Sequence, residues 1–129
     1  MSVLHATPSV TTPRFAAKLD VAKAVLEAWP LADELVIEGL PQASGCVLSQ
    51  SGDGRFMRGI WACTPGMFRW QWTVDETVTV VSGRATVAMG DGRRIELKPG
   101  DMAFFEAGQD SVWTIHEPFR KSFHTAAVA

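Results

Sequence analysis

Cysteine and histidine are scarce in this sequence, charge of either sign is nearly balanced, and no long apolar run occurs. Each shortage excludes something. Two cysteines, Cys46 and Cys63, cannot build a disulfide framework, and although one bridge could form if the fold brought them together, two buried thiols are the expectation. A formal net charge of -2 leaves no electrostatic footprint for nucleic acid. No stretch reaches the apolar length that spans a bilayer, so an integral membrane protein is not expected. The segment before Asp20 lacks the apolar block of a signal peptide and holds only Arg14 and Lys18 as basic residues, which reads as a cytoplasmic leader. The absence of an internal repeat argues against a propeller or solenoid.

What is present fits one ordinary domain: 129 residues, 47% apolar and 20% charged. Pro8 and Pro13, among serines and threonines, mark residues 1–14 as an extended arm. Across residues 15–29 the apolar Leu19, Ala22, Val25, Leu26 and Trp29 recur at three and four, and Pro30 follows, so the spacing predicts one helix there. Beyond Pro41 the character changes to short runs rich in Val, Ile, Thr, Phe and Trp. Breaks at 52–54, Pro65-Gly66, Ser82-Gly83, 90–92 and Pro99-Gly100 divide them into strands. Residues 77–81, 84–89 and 93–98 alternate most clearly and are expected as consecutive antiparallel strands. The division is therefore residues 1–30 as arm and helix and 31–129 as a β-domain, a sandwich or barrel that hides its edges.

The punctuation of these strands carries a resemblance. GIWACTPG from Gly59, FRW from Phe68, Glu76, Gly83, KPGDMAFFEAG from Lys98, Trp113 and Arg120-Lys121 together resemble the small single-domain cupins of the ureidoglycine aminohydrolase-like group, of the DUF861 type. These are a branch of the RmlC-like cupin superfamily. The resemblance implies an all-β fold, a cupin-type double-stranded β-helix or jelly-roll barrel, here with one N-terminal helix. It also implies a homodimer and a ligand cavity inside the barrel. In the general cupin pattern, two histidines one residue apart precede a glutamate, and a third histidine follows in the second motif. Those histidine places fall on Trp70, Trp72 and Ser111, while the glutamate is kept as Glu76. An indole N–H donates and offers no lone pair, so neither tryptophan replaces an imidazole, and no metal or other cofactor is expected.

Side chains on a strand alternate, so Trp70, Trp72 and Glu76 are expected on one face, directed into the barrel. A carboxylate between two indoles is poorly solvated, which suits a general acid or base, and Glu76 is the candidate catalytic residue. Against this stands an ordinary alternative: tryptophans on a strand are mostly core, and Glu76 is then an ion-pair partner for Arg69 or Lys121. Ser111 and Trp113 share a face of a later strand, and with Trp70, Trp72, Phe105 and Lys121 they complete the candidate ligand-binding set. Indole faces beside a carboxylate suit an amine or a ureido compound.

Other candidates are weaker. His116 and His124 flank Glu117-Pro118 with no third histidine nearby, and Cys63 has no histidine at a useful spacing. Arg55, Arg58, Arg93 and Arg94 are scattered near turns and read as solvated; both GDG segments read as hairpin turns. Three functions follow: a metal-independent enzyme on a small nitrogen-containing metabolite, a noncatalytic small-molecule-binding or accessory module, and, ranked last, a metalloenzyme with unorthodox ligands such as Glu76 and His124.

Overall fold

The structure, a computed structural model of the chain, describes residues 8–9 and 16–128. Eleven strands run in chain order as β1 (Glu27–Ala28), β2 (Val36–Gly39), β3 (Ala43–Gln50), β4 (Phe56–Cys63), β5 (Gly66–Gln71), β6 (Asp75–Ser82), β7 (Ala85–Met89), β8 (Arg94–Leu97), β9 (Met102–Phe105), β10 (Asp110–Ile115) and β11 (Phe119–Ala126). They form two antiparallel sheets, one ordered β1-β3-β4-β11-β6-β9 and the other β2-β5-β10-β7-β8. This is the all-β jelly roll expected from the sequence. Alternation sets it up: in β11 Phe119, Lys121, Phe123 and Thr125 are buried while the residues between them are only partly covered.

Two expectations are corrected. The described part of the predicted helix, residues 16–29, is not helical: Asp20–Lys23 makes a turn, Glu27–Ala28 pairs with Ser44 and Gly45 of β3, and among the described residues the only helical turn is the 3-10 turn Asp33–Leu35. Of the predicted apolar face only Trp29 is buried, and Val25 is 89% exposed. A lone helix of four turns is marginal in water, whereas an indole buried against a sheet contributes several kcal/mol, of order 2–3. Gly45 makes that burial possible, because a Cβ there would meet the Trp29 ring at 2.6 Å. Arg120 holds the preceding segment by donating to the carbonyls of Val21 and Ala24 at 3.0 and 3.3 Å. The predicted arm lies outside the described residues except Pro8 and Ser9.

The second correction concerns pairing. β7 and β8 form the expected hairpin, but β6 pairs with β11 and β9 instead of β7. Gly83, at φ 81°, turns the chain from one sheet to the other. A period-two pattern fixes which face a residue occupies and is silent on which sheet receives the strand.

Between the sheets the core is aromatic. Phe68 and Trp113 stack at 6.2 Å, Trp72 and Phe105 stack at 4.3 Å, and Trp61 and Phe119 meet Trp113 edge-on. Offset-stacked and edge-to-face rings from both sheets pack together in the space between them.

Candidate functional site

A cavity of about 150 Å³ opens between the sheets, a volume comparable to engineered apolar cavities that take benzene. Its walls come from five strands and the segment that carries Trp29. β4 supplies Trp61, β5 supplies Phe68 and Trp70, β10 supplies Trp113, and Trp29 closes one side. Glu76 of β6 and Lys121 of β11 are its buried charged groups, and the exposed Arg55, from the β3–β4 hairpin, stands at its mouth.

Glu76 and Lys121 are an ion pair. The Lys121 ammonium donates to Glu76 Oε2 at 3.1 Å, with the side chains 8% and 5% exposed for Lys121 and Glu76. Trp72 donates its indole N–H to Glu76 Oε1 at 2.9 Å, so each carboxylate oxygen has a partner. Lys121 Nζ also lies over the rings of Trp61 and Trp113, 4.8 and 5.0 Å from their centroids. The charge is thereby caged on three sides by groups that favour a cation. Donors outnumber acceptors: Trp29 and Trp113 both line the cavity, and the indole N–H of each is buried with no acceptor among the described residues. A buried unpaired donor costs about 1–3 kcal/mol.

The seven sequence candidates separate. Trp70, Glu76, Trp113 and Lys121 line the cavity. Trp72, Phe105 and Ser111 do not: Trp72 stacks on Phe105 behind the carboxylate it orients, and Ser111 donates to the Trp70 carbonyl at 2.8 Å. Trp70, Trp72 and Glu76 are not on one strand either. β5 ends at Gln71, residues 72–74 cross between the sheets, and Glu76 faces the cavity from the opposite wall. Of the two ion-pair partners weighed for Glu76, Lys121 is the observed one, and Arg69 is exposed. Trp29, Trp61, Phe68 and Arg55 were missed. Period-two alternation back from Cys63 would have placed Trp61 inward, whereas nothing local marks Arg55 apart from other turn arginines.

The residues at the usual cupin metal positions do not fit a metal. The two indoles have no lone pair to give, the Ser111 hydroxyl is spent on a carbonyl, and Glu76 is held by Lys121 and Trp72. Among the described residues no three His, Cys, Asp or Glu side chains gather to hold an ion. Pairing Glu76 with His124 is corrected by the sheet: in β11 Thr125 turns inward toward the cavity, while His124 lies on the outer groove, its ring stacked on Phe56 at 6.4 Å. His116 Nε2 is 2.7 Å from the Thr86 hydroxyl, away from the cavity.

Both cysteines are free. Burial pushes the Cys63 thiol up to about 12, against a small opposing pull from the Lys121 charge, and burial also raises Cys46. Since the thiolate is the nucleophile, Cys63 stays unreactive at pH 8. Iodoacetamide labelling followed by peptide mass analysis is expected to leave Cys63 unmodified in native protein and to alkylate it in urea. Rapid native alkylation would show that the β4 thiol is not enclosed.

Comparison with known proteins gives a consistent fold. The family profile of the EutQ-like cupin domain matches residues 50–123, more than half of the chain. The EutQ protein of Clostridium difficile superposes with a TM-score of 0.60 at 19% identity, over 67% of this chain and 69% of that one. A DUF861-family protein of unknown function from Pseudomonas syringae gives 0.73 at 23% identity, over 80% and 45%. Ectoine synthase from P. lautus gives 0.58 at 16%, over 65% and 63%. At these identities the structures share the fold with this chain. No curated protein matches it.

Proposed function

The chain belongs to the family of EutQ-like cupin domains, and from that premise we propose that its barrel cavity binds and transforms a small nitrogen-containing metabolite without the usual cupin metal. The observation that carries this reading is the buried Glu76–Lys121 pair among indoles. An amine is the poorer ligand, because the Lys121 ammonium already lies over the Trp61 and Trp113 rings and would repel a second cation. A neutral amide or ureido group is the better one. Its carbonyl oxygen accepts from one remaining Lys121 N–H, and its N–H donates to a free lone pair of Glu76.

Hydrolysis of such a group uses the same two residues. Glu76 takes a proton from water as its oxygen bonds to the carbonyl carbon. The Lys121 ammonium holds the oxyanion, and the proton passes to the nitrogen as the C–N bond breaks. The indole walls exclude bulk water, which strengthens both contacts.

The test is a panel of small amides and ureido compounds, read by tryptophan fluorescence and by ammonia or amine release. Four of the five tryptophans line the cavity, so occupancy is visible directly. Glu76→Gln is expected to lower turnover by about 100-fold or more while the protein still unfolds as one cooperative unit. Binding without turnover by either protein would favour the second reading, a noncatalytic binding module, which the full engagement of both Glu76 oxygens supports. A cytoplasmic homodimer completes the proposal and is checked by sedimentation and cell fractionation.

A further inference from the structure

Lysine 121 has a property that the hydrolytic reading leaves unused: it is a primary amine inside an enclosed aromatic cavity, 3.1 Å from a carboxylate that can take its proton. The chain has only three other lysines, Lys18, Lys23 and Lys98, and all are exposed. We infer that Lys121 Nζ forms a Schiff base with a small aldehyde or ketone bound in the cavity, a covalent site that rests on the reading of this cavity as the ligand site.

The step balances within the cavity. The Lys121 ammonium gives a proton to Glu76, and the free amine bonds to the carbonyl carbon. The resulting carbinolamine oxygen recovers a proton from Glu76 and, with a second from the nitrogen, leaves as water. The product is a protonated imine, so the site begins and ends with one positive charge on Nζ and one negative charge on Glu76. That conservation decides the energetics. The rings of Trp61 and Trp113 and the Glu76 oxygen favour a cation at Nζ, and an iminium is a cation at the same atom. The contacts that hold the resting ammonium therefore hold the product equally. The neutral amine is needed only in passing, and Glu76 makes it available at hydrogen-bond distance.

The surroundings favour the carbonyl partner. Apolar walls suit a short carbon body and slow the hydrolysis of the imine by keeping bulk water out. Arg55 at the mouth adds a positive charge beyond the pair, so a keto acid is a favoured member of the class over an uncharged ketone.

The experiment is reductive trapping of the native full-length protein with sodium cyanoborohydride and limiting acetone, propionaldehyde or pyruvate, followed by peptide mass mapping. Lys121 is expected to be alkylated roughly tenfold faster than Lys18, Lys23 or Lys98, and Glu76→Gln to slow only Lys121, by about 100-fold. Because the three exposed lysines are internal controls in wild-type protein, the result depends on no variant's folding. Modification of Lys121 no faster than the exposed lysines overturns the inference. If small amides still change the tryptophan fluorescence in that case, the cavity remains the ligand site and only the covalent step fails. If amides also leave it unchanged, both fail.

Discussion

Lys121→Met is expected to lower the unfolding free energy by about 3–5 kcal/mol, a large share of the 5–15 kcal/mol that a domain of this size commands. The loss of one contact is the smaller part of this. With the side chains 8% and 5% exposed, removing the ammonium leaves the buried Glu76 carboxylate with only the Trp72 indole N–H as a hydrogen-bond partner. An uncompensated buried charge costs more than the pair contributed while intact. Adding Glu76→Leu removes that charge and is expected to restore most of the lost stability, so the double variant is more stable than Lys121→Met alone. Urea unfolding at pH 7 of wild type, both single variants and the double closes a cycle whose coupling energy is the measure. If Lys121→Met costs less than about 1 kcal/mol, water in the cavity solvates Glu76 as well as the ammonium does. The pair would then be a polar lining, and its role as the recognition element would weaken with it.

The same residues show what a sequence can and cannot convey. Trp70 and Trp113 were identifiable because strand alternation places each inward, whereas Glu76 and Lys121 were identifiable through the cupin resemblance. Their mutual arrangement was not. Trp70 and Glu76 stand six residues apart and suggest one strand, yet residues 72–74 carry the chain across the barrel and set the two on facing walls. Trp72 thus changes role, from a cavity wall to the donor that fixes the carboxylate. The ion pair spans β6 and β11, and which strands become neighbours in a jelly roll is decided by non-local closure, not by any period. The failed helix has a related cause. The 3.6-residue pattern of residues 19–29 is genuine, but the faces that would have stabilised a helix were worth less than one indole packed over Gly45.

The turn glycines were legible for a reason that a pair of substitutions can separate into two parts. Gly83→Ala is expected to cost about 2–5 kcal/mol, and Gly92→Ala only about 1–2 kcal/mol. Both residues have left-handed backbones, at φ 81° and 94°, so both variants lose the conformational freedom that glycine has there. They differ in surroundings. A Cβ at Gly92 would meet nothing within 4 Å, whereas at Gly83 it would collide with the Pro118 carbonyl and come within 2.8 Å of the Phe119 Cα. Those are backbone atoms at the start of β11, the strand that carries Lys121, and they cannot move without shifting the register that brings Lys121 to Glu76. Gly83→Ala is therefore expected to lower ligand affinity as well as stability, while Gly92→Ala lowers stability alone. Urea unfolding with an unchanged slope gives the first quantity and tryptophan fluorescence titration with an amide the second. Equal costs at the two positions would mean that only backbone conformation matters at Gly83, and that the crossing from β6 to β7 tolerates a shift of β11.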